Sequence, residues 1–185
     1  MPSYDEELLD TSRRLLARRT GQRGRLAGAR VRRSISTTYY ALFHFLSEEV
    51  TTKVVGTGNN LRVRRRILAR TISHTGLRTA LDKIRGTQIH DSVRPFFQLG
   101  IGGPPQAAPF FAQNLARVFR DSQAKRESAD YDLNEPLSET DARLLRRRVR
   151  RAITTWRVAN EPEERDFKRA LAILILLRGQ LRQSA

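Results

Sequence analysis

The chain has 185 residues and no cysteine, and its 35 lysines and arginines against 19 aspartates and glutamates give a formal net charge of +16. The lack of cysteine excludes disulfides, thiolate nucleophiles and cysteine-ligated metals, and we expect a reducing, cytoplasmic location. The longest apolar run, Ala170–Leu177, is too short to span a bilayer, so no membrane partner is expected. The positive charge favours a polyanionic partner, with nucleic acid as the first candidate.

The first half of the chain has the apolar periodicity of helices. Ser3 and Glu6 have the spacing of a capping box and predict where the first helix begins. Helical stretches are predicted over about 4–19, 26–52, 61–72 and 77–84. The breaks between them fall at 20–24, at 56–60 and at 73–76, where glycine, asparagine and serine collect.

The second half continues the helical pattern after a break. Residues 86–109 are rich in glycine and proline and are predicted to form a loop insertion. Helices are predicted from Pro109 to about Arg126, from the capping sequence at 138–141, and from Pro162 to about Leu181. The last helix is apolar nearly all round and must be buried in its own bundle or against a partner. No segment alternates as a strand would, so the prediction is an all-α helical bundle.

The second helix carries one polar stripe on an otherwise apolar surface. Its members lie within an arc of about 120°: Arg33, Ser36, Thr37, Tyr40, His44, Ser47 and Glu48. Tyr40 and His44 are one turn apart, close enough for a phenol and an imidazole to act on one group. The alternative is that both are interfacial side chains satisfied by hydrogen bonds.

Three segments, in order, resemble a known family. The segment 39–44 (YYALFH), the segment 72–77 (ISHTGL) and the segment 126–132 (RESADYD) are similar to the HEPN family, the higher-eukaryote and prokaryote nucleotide-binding helical domains, in its small prokaryotic branch. The resemblance covers about Leu8 to Trp156. It implies a HEPN-like four- to five-helix bundle over residues 1–160, a C-terminal helical extension over 161–185, a homodimer and a basic cleft that contacts RNA.

The resemblance also implies a test for catalysis. Ribonuclease members use an Arg-x4-6-His motif without a metal or cofactor, but no histidine follows Arg126 at that spacing. The site would then be assembled from side chains elsewhere in the bundle. The candidate catalytic residues are Tyr40, His44, His74, Arg126, Asp130 and Tyr131. The structural alternative is that Asp130 pairs with Arg126, that Tyr131 packs on the bundle, and that His74 begins a helix.

Arg85 and His90 do have the family spacing, but this match carries little weight. Arginine fills 31 of the 185 positions, so such a spacing arises easily by chance. The pair also lies at the edge of the 86–109 segment and is kept only as an alternative catalytic pair.

Basic runs predict phosphate contacts. The candidate RNA-binding residues are Arg33, Arg62, Arg65, Arg66, Arg147 and Arg151. Because no aromatic residue is interleaved in these runs, they favour phosphate contact over base reading.

Three hypotheses follow. The first is a HEPN-like RNA-binding protein that also cleaves RNA, as a toxin or an effector of antiphage defence. The second is a non-catalytic HEPN-like subunit that holds a protein partner, such as a nucleotidyltransferase antitoxin or a larger defence complex. The third is a basic DNA-binding protein. The missing histidine after Arg126 favours the second, whereas Tyr40 and His44 favour the first.

Overall fold

The computed structural model describes residues 3–17, 25–98 and 103–179, and every regular element in these ranges is helical. The α-helices are α1 (Tyr4–Leu15), α2 (Arg25–Val55), α3 (Arg62–Ala69), α4 (His74–Asp82), α5 (Phe110–Tyr131), α6 (Glu139–Val158) and α7 (Pro162–Leu176). Short 3-10 helices cover Asn59–Leu61 and Arg94–Phe97. The predicted all-α class is confirmed. No helix in the described ranges has both the length and the apolar character needed to cross a membrane.

The predicted starts of α1 and α6 are confirmed by their caps, whereas α4 begins at His74 rather than at the predicted residue 77. The backbone N–H of Ser3 donates to a carboxylate oxygen of Glu6 at 3.2 Å, which completes the capping box of α1. At the start of α6, the backbone N–H groups of Ser138 and Asp141 are each bound by the other residue's side chain. The Ser73 hydroxyl accepts the backbone N–H of the third residue of α4 at 3.0 Å. Local side-chain capping therefore sets where these helices begin.

The predicted helix ends were less accurate. α1 ends at Leu15, short of the predicted residue 19, and the break predicted at 20–24 lies outside the described residues. α5 continues past Arg126 to Tyr131, because the chain holds no glycine or proline there and Arg126 pairs with Asp130 one turn on. The RESADY segment is therefore the last part of α5.

The last helix also ends early. α7 stops at Leu176 rather than near Leu181 because Arg178 and Gly179 adopt left-handed φ values of 55° and 69°. The Gly179 N–H donates to the carbonyl of Leu174 at 2.8 Å, which closes the helix end. Residues 180–185, where the predicted helix ended, lie outside the described residues.

The chain forms two compact units. The first comprises Met1–Phe45 and Val118–Thr154, and the second comprises Leu46–Arg117 and Thr155–Ala185. Helices α2, α5 and α6 contribute residues to both. The division of the sequence at residue 160 rests on the family resemblance and stays a prediction.

The first unit has an apolar core and a buried polar contact between α1 and α2. Its core residues are Leu16, Val31, Ile35, Ala129, Ala142 and Leu145, with Leu137 packed against them. The Ser12 hydroxyl lies 2.8 Å from that of Ser34 and 2.7 Å from that of Thr38, and all three are fully buried. Each hydroxyl also has a hydrogen-bond partner, so these buried polar groups are satisfied.

The second unit has an aromatic core. Phe97 stacks on Phe167 with ring centroids 4.6 Å apart, and Phe111 meets the edge of Trp156 at 5.3 Å. Phe97 comes from the 86–109 segment, which is mostly turns and also buries Ile89, Val93 and Ala108. The described part of this segment is thus packed into the unit, and residues 99–102 lie outside the description. α7 is buried along one side only, since Ile173 is exposed.

Candidate functional site

The helices α2 and α5 bring together residues of two of the three family-like segments. Nη2 of Arg126 donates to the Tyr40 hydroxyl at 3.3 Å, and Nε of Arg126 lies 2.6 Å from Oδ2 of Asp130. The Ser36 hydroxyl donates to the other oxygen of Asp130. Positions 36 and 40 are one turn apart on α2, and positions 126 and 130 are one turn apart on α5, so two consecutive turns of each helix meet.

Arg126 is held between two tyrosine rings. Its guanidinium carbon lies 5.8 Å from the ring centroid of Tyr40 and 5.4 Å from that of Tyr131. Burial alone would lower the pKa of Arg126, but the adjacent Tyr40, Asp130 and Tyr131 raise it overall. The guanidinium therefore keeps its positive charge, and its ion pair with Asp130 matches the structural alternative weighed from the sequence.

The Asp130 carboxylate is engaged on both sides. The Ser36 hydroxyl donates to Oδ1, and the Nε of Arg126 lies 2.6 Å from Oδ2. In this arrangement Asp130 positions Arg126. The hydroxyl of Tyr131, by contrast, is on an exposed residue at the end of α5.

His44 lies one turn beyond Tyr40 in an aromatic setting. Its ring meets the edge of the Tyr4 ring at 5.0 Å, and its centroid is 6.5 Å from that of Tyr40. Burial lowers the pKa of His44, and no described residue hydrogen-bonds to its ring nitrogens. At neutral pH the imidazole is therefore uncharged and holds an available lone pair.

Tyr39, beside Tyr40 in the sequence, faces the interior instead. It is fully buried, and its ring centroid is 5.6 Å from that of Phe119. Burial raises the pKa of the Tyr39 phenol strongly, so it remains protonated. The two adjacent tyrosines thus have different roles, Tyr39 in the core and Tyr40 at Arg126.

The remaining histidine and arginine candidates lie in the second unit. His74 is the first residue of α4 and is half-buried, as the helix-start alternative expected, and a further role for it stays a prediction. Arg85 pairs with Asp82 at 2.8 Å. His90 is exposed and accepts the Ser92 backbone N–H on Nδ1 at 3.2 Å. No hydrogen bond joins Arg85 to His90 in the described ranges, so the alternative pair is not assembled within one chain.

The candidate RNA-binding arginines differ in their surroundings. All are exposed except Arg65, which donates to the carbonyls of Gly56 and Gly58 at 2.6 and 3.0 Å and thereby holds the turn before α3. Arg33, Arg62, Arg66, Arg147 and Arg151 form no hydrogen bond or ion pair through their side chains with another described residue. Their guanidinium groups are free to meet an anion.

A group of arginines on α1 and α6 includes Arg147, one of the predicted RNA-binding residues, and other members of the same basic run. We call it the arginine cluster: Arg13, Arg143, Arg146, Arg147 and Arg150. The four members on α6 follow the spacing i, i+3, i+4, i+7 and share one face, a signal that the sequence did contain. Arg13 comes from α1, and only the packing of the helices brings it there.

Arg146 is the central member of the arginine cluster. Its Nε atom is buried and has no hydrogen-bond acceptor in the described part of the chain. Burial lowers the pKa of Arg146, and the positive charges of the other four members lower it further. A buried N–H without an acceptor costs about 1–3 kcal/mol, and the neighbouring charges add repulsion. An anion bound to the exposed members would relieve the repulsion.

Acidic residues compensate only part of this charge. Arg13 pairs with Asp10 at 2.6 Å, and Arg143 pairs with Glu139 at 3.3 Å. Both pairs are exposed to solvent, where they are worth little and exchange readily. No ion pair within the described ranges reaches Arg146, Arg147 or Arg150.

A cavity of about 370 Å³ lies between α5 and the first half of α6. Its charged walls are formed by the ion pair of Lys125 with Glu135, at 3.2 Å, and by that of Arg148 with Asp121, and Leu144 lies on its apolar side. Asp141, the remaining charged residue of the lining, accepts hydrogen bonds from Ser138, so each charged side chain of the cavity wall already has a partner.

No group of three or more histidine, aspartate or glutamate side chains in the described ranges is arranged to hold a metal ion. Comparison with protein-family models, with curated proteins and with solved structures gave no match.

Proposed function

We propose that this protein binds RNA through the arginine cluster. The observation that carries the proposal is the gathering of five guanidinium groups, of which Arg146, Arg147 and Arg150 have no ion pair within the described ranges. A phosphate oxygen is a strong acceptor that guanidinium groups bind in a bidentate manner. A chain of phosphates supplies several such acceptors at once and relieves the repulsion, which single small anions do less well.

The HEPN-like assignment supports RNA over other polyanions. Contact between Arg126 of the RESADY segment and Tyr40 of the YYALFH segment fits the shared site that the resemblance implies. On this proposal the protein is a dimeric, HEPN-like RNA-binding protein of a toxin or antiphage defence system. A basic DNA-binding protein is the competing proposal, because phosphate contacts alone do not distinguish the two nucleic acids.

A binding titration tests the proposal. Labelled single-stranded RNA is titrated with the wild type, with R147Q/R150Q, and with the control R148Q/R165Q, which loses the same charge outside the arginine cluster. We expect the cluster variant to bind about 10-fold or more weakly at 100 mM salt. The slope of log K against log salt should fall by about 1.4, since each lost single-strand contact removes about 0.7.

Two results would count against RNA binding at this site. One is failure of the wild type to bind RNA at low salt, and the other is equal weakening by the control variant. DNA of the same sequence is titrated in parallel. Tighter binding of DNA than of RNA would support the competing proposal.

We propose RNA cleavage as a second candidate function, centred on Tyr40, His44 and Arg126. Its specific support is that the uncharged imidazole of His44 lies one helical turn from Tyr40, and the hydroxyl of Tyr40 accepts a hydrogen bond from the charged guanidinium of Arg126. In such a site His44 would take the proton from a ribose 2′-hydroxyl, and Arg126 would neutralise the phosphorane as the 2′-oxygen attacks phosphorus. The bond from phosphorus to the 5′-oxygen would then break, leaving a 2′,3′-cyclic phosphate and a 5′-hydroxyl that takes its proton from water.

Incubation with bulk RNA in EDTA tests cleavage. The wild type and H90A should cut RNA, whereas H44A and R126A should lose at least about 100-fold in rate, the contribution expected of a general base. Loss in H90A alone would favour the Arg85 and His90 pair. Intact RNA in every lane would end the nuclease proposal and leave RNA binding or a non-catalytic subunit.

A further inference from the structure

Helix α3 exposes two aliphatic side chains side by side. Val63 is 57% exposed and Ile67 is 59% exposed, and no residue of α3 is buried. The two positions are one helical turn apart, so they form a short apolar ridge. Scattered single apolar residues are ordinary on a surface, whereas this ridge places two of them together on a helix that buries none of its residues.

Arginines flank this ridge on both sides. At about 100° per residue, Arg62, Arg66 and Arg70 form a row along one side of it, and Arg64 lies on the other. All four are exposed. The buried-side neighbour, Arg65, is instead bonded to the carbonyls of the preceding turn. We call the exposed set of Arg62, Val63, Arg64, Arg66, Ile67 and Arg70 the α3 surface.

The chain around the α3 surface carries only positive charge. Between Glu49 and Asp82 there is no acidic residue, whereas the same stretch holds seven cations: Lys53, Arg62, Arg64, Arg65, Arg66, Arg70 and Arg78. No carboxylate within that stretch can pair with the exposed arginines. The charge is left for an outside partner.

We propose that the α3 surface docks an acidic amphipathic helix of a protein partner. An apolar stripe on that helix would cover Val63 and Ile67, and carboxylates four residues apart would pair with the row that includes Arg62 and Arg66. Both features of the surface are then used, because the aliphatic side chains leave water and the arginines meet opposite charge.

Other anionic partners use only half of this surface. A nucleic-acid backbone would pair with the arginines but would leave Val63 and Ile67 without an apolar contact, and no exposed aromatic residue of α3 offers a base a stacking surface. A membrane-binding helix needs a longer apolar face than a ridge of two side chains. The proposal uses none of the arginine cluster, so it stands or falls apart from RNA binding there.

Fluorescence anisotropy with two synthetic peptides tests the docking. Both peptides have about 20 residues and the same number of glutamates, enough length to form a helix. The first carries leucines along one face, and in the second those leucines are replaced by glutamine. We expect the leucine peptide to bind the wild type at least about 10-fold more tightly than the glutamine peptide.

The variants V63D/I67D and V63S/I67S then locate the binding. Each should weaken binding of the leucine peptide by about 10-fold or more, and far-UV circular dichroism should stay unchanged. The control is V158D/I173D, which alters two exposed apolar residues outside α3 and should bind as the wild type does. The serine variant keeps the test valid if the aspartates perturb folding.

Three outcomes would overturn the proposal. Equal affinity for the two peptides would mean that charge alone is recognised. If V63D/I67D binds the leucine peptide as tightly as the wild type does, the peptide binds at a site other than the α3 surface. The third outcome is that the wild type binds neither peptide, while V63D/I67D loses affinity for single-stranded RNA or for phosphatidylglycerol vesicles. That result would assign the surface to a nucleic acid or a membrane.

Discussion

At the scale of single residues, Arg32 shows how an arginine of a basic protein can serve the fold. Its guanidinium donates to five carbonyl oxygens at and after the end of α5, those of Ser128, Ala129, Asp132, Leu133 and Glu135, at 2.7 to 3.3 Å. The end of a helix leaves its last carbonyls without partners and carries partial negative charge. One side chain of α2 satisfies both needs and orders the loop to α6.

We expect R32A to lower the free energy of unfolding by about 2–4 kcal/mol, because several charge-assisted hydrogen bonds are lost and carbonyls are left unpaired. Urea denaturation followed by circular dichroism measures this. The neighbouring variant R33A is the control, since Arg33 is exposed and should change stability by less than about 0.5 kcal/mol. Equal effects of the two variants would contradict the capping role of Arg32.

His44 links burial to pH dependence. Its pKa is lowered in the folded chain, so the unfolded chain binds a proton more readily than the folded chain does. Stability should therefore fall as the pH decreases through the unfolded value of about 6.5, and it should be unaffected by His44 above about pH 8.

Replacing His44 by glutamine tests the direction of this pH dependence of stability. In H44Q the loss of stability between about pH 7 and pH 5 should be smaller than in the wild type, whereas H90Q, which changes an exposed histidine, should behave as the wild type does. Thermal unfolding measured across this pH range gives the comparison. A histidine titration by NMR with a pKa for His44 above 6.5 would refute the burial argument.

At the scale of elements, the end of α7 depends on one glycine. Gly179 has a left-handed φ of 69°, and a Cβ there would lie 3.1 Å from backbone atoms of Ala80 in α4. The position therefore serves both the helix end and the close approach of α7 to α4. Buried Lys168, at the middle of α7, donates to the carbonyl of Trp156 at 2.7 Å and to that of Ala159.

Two glycine substitutions should change the free energy of unfolding in opposite directions. G179A should lower the free energy of unfolding by more than about 1 kcal/mol, because alanine is strained at this φ and crowds α4. G28A should raise it by about 0.5–1 kcal/mol, because Gly28 lies within α2 and a Cβ there meets nothing within 4 Å. Denaturant midpoints measure both, and a stabilised G179A would contradict the packing described.

At the scale of the whole molecule, the net charge of +16 is a source of self-repulsion. Part of it is neutralised locally, as in the pairs of Arg13 with Asp10 and of Arg148 with Asp121. The arginine cluster and the α3 surface keep unpaired charge, one in each unit. Polyvalent anions should therefore stabilise the folded chain by binding it in preference to the unfolded chain.

We expect inorganic triphosphate to raise the Tm by several degrees more than sodium chloride at the same ionic strength, because a bound anion stabilises the fold in proportion to its occupancy. The rise in Tm caused by triphosphate should be smaller in R147Q/R150Q than in the control R148Q/R165Q. Differential scanning fluorimetry gives the measurement. An equal gain in both variants would mean that the anion does not bind at the arginine cluster.

Much of the fold was predictable because helix starts and the apolar periodicity of helices both depend on residues that are close together in the sequence. Capping at Ser3 and Ser138 depends on residues three positions away, so the sequence alone locates the starts of α1 and α6. Helix ends were predicted less well because they depend on distant partners, as Arg32 does for α5 and α4 does for Gly179. The 86–109 segment looked like a loop, yet it buries Phe97 against Phe167, a contact that no local pattern reveals.

In the candidate site, too, the local relationships were predictable from the sequence and the long-range contacts were not. The sequence by itself determined the all-α class, the excess of arginine, and the one-turn spacings that pair Tyr40 with His44 and Arg126 with Asp130, because these follow from composition and helical period. Only the tertiary structure decided that Ser36 binds Asp130, that Tyr40 binds Arg126, and that Arg13 joins four arginines of α6. Those contacts join residues about a hundred positions apart, and packing alone brings such residues within bonding distance.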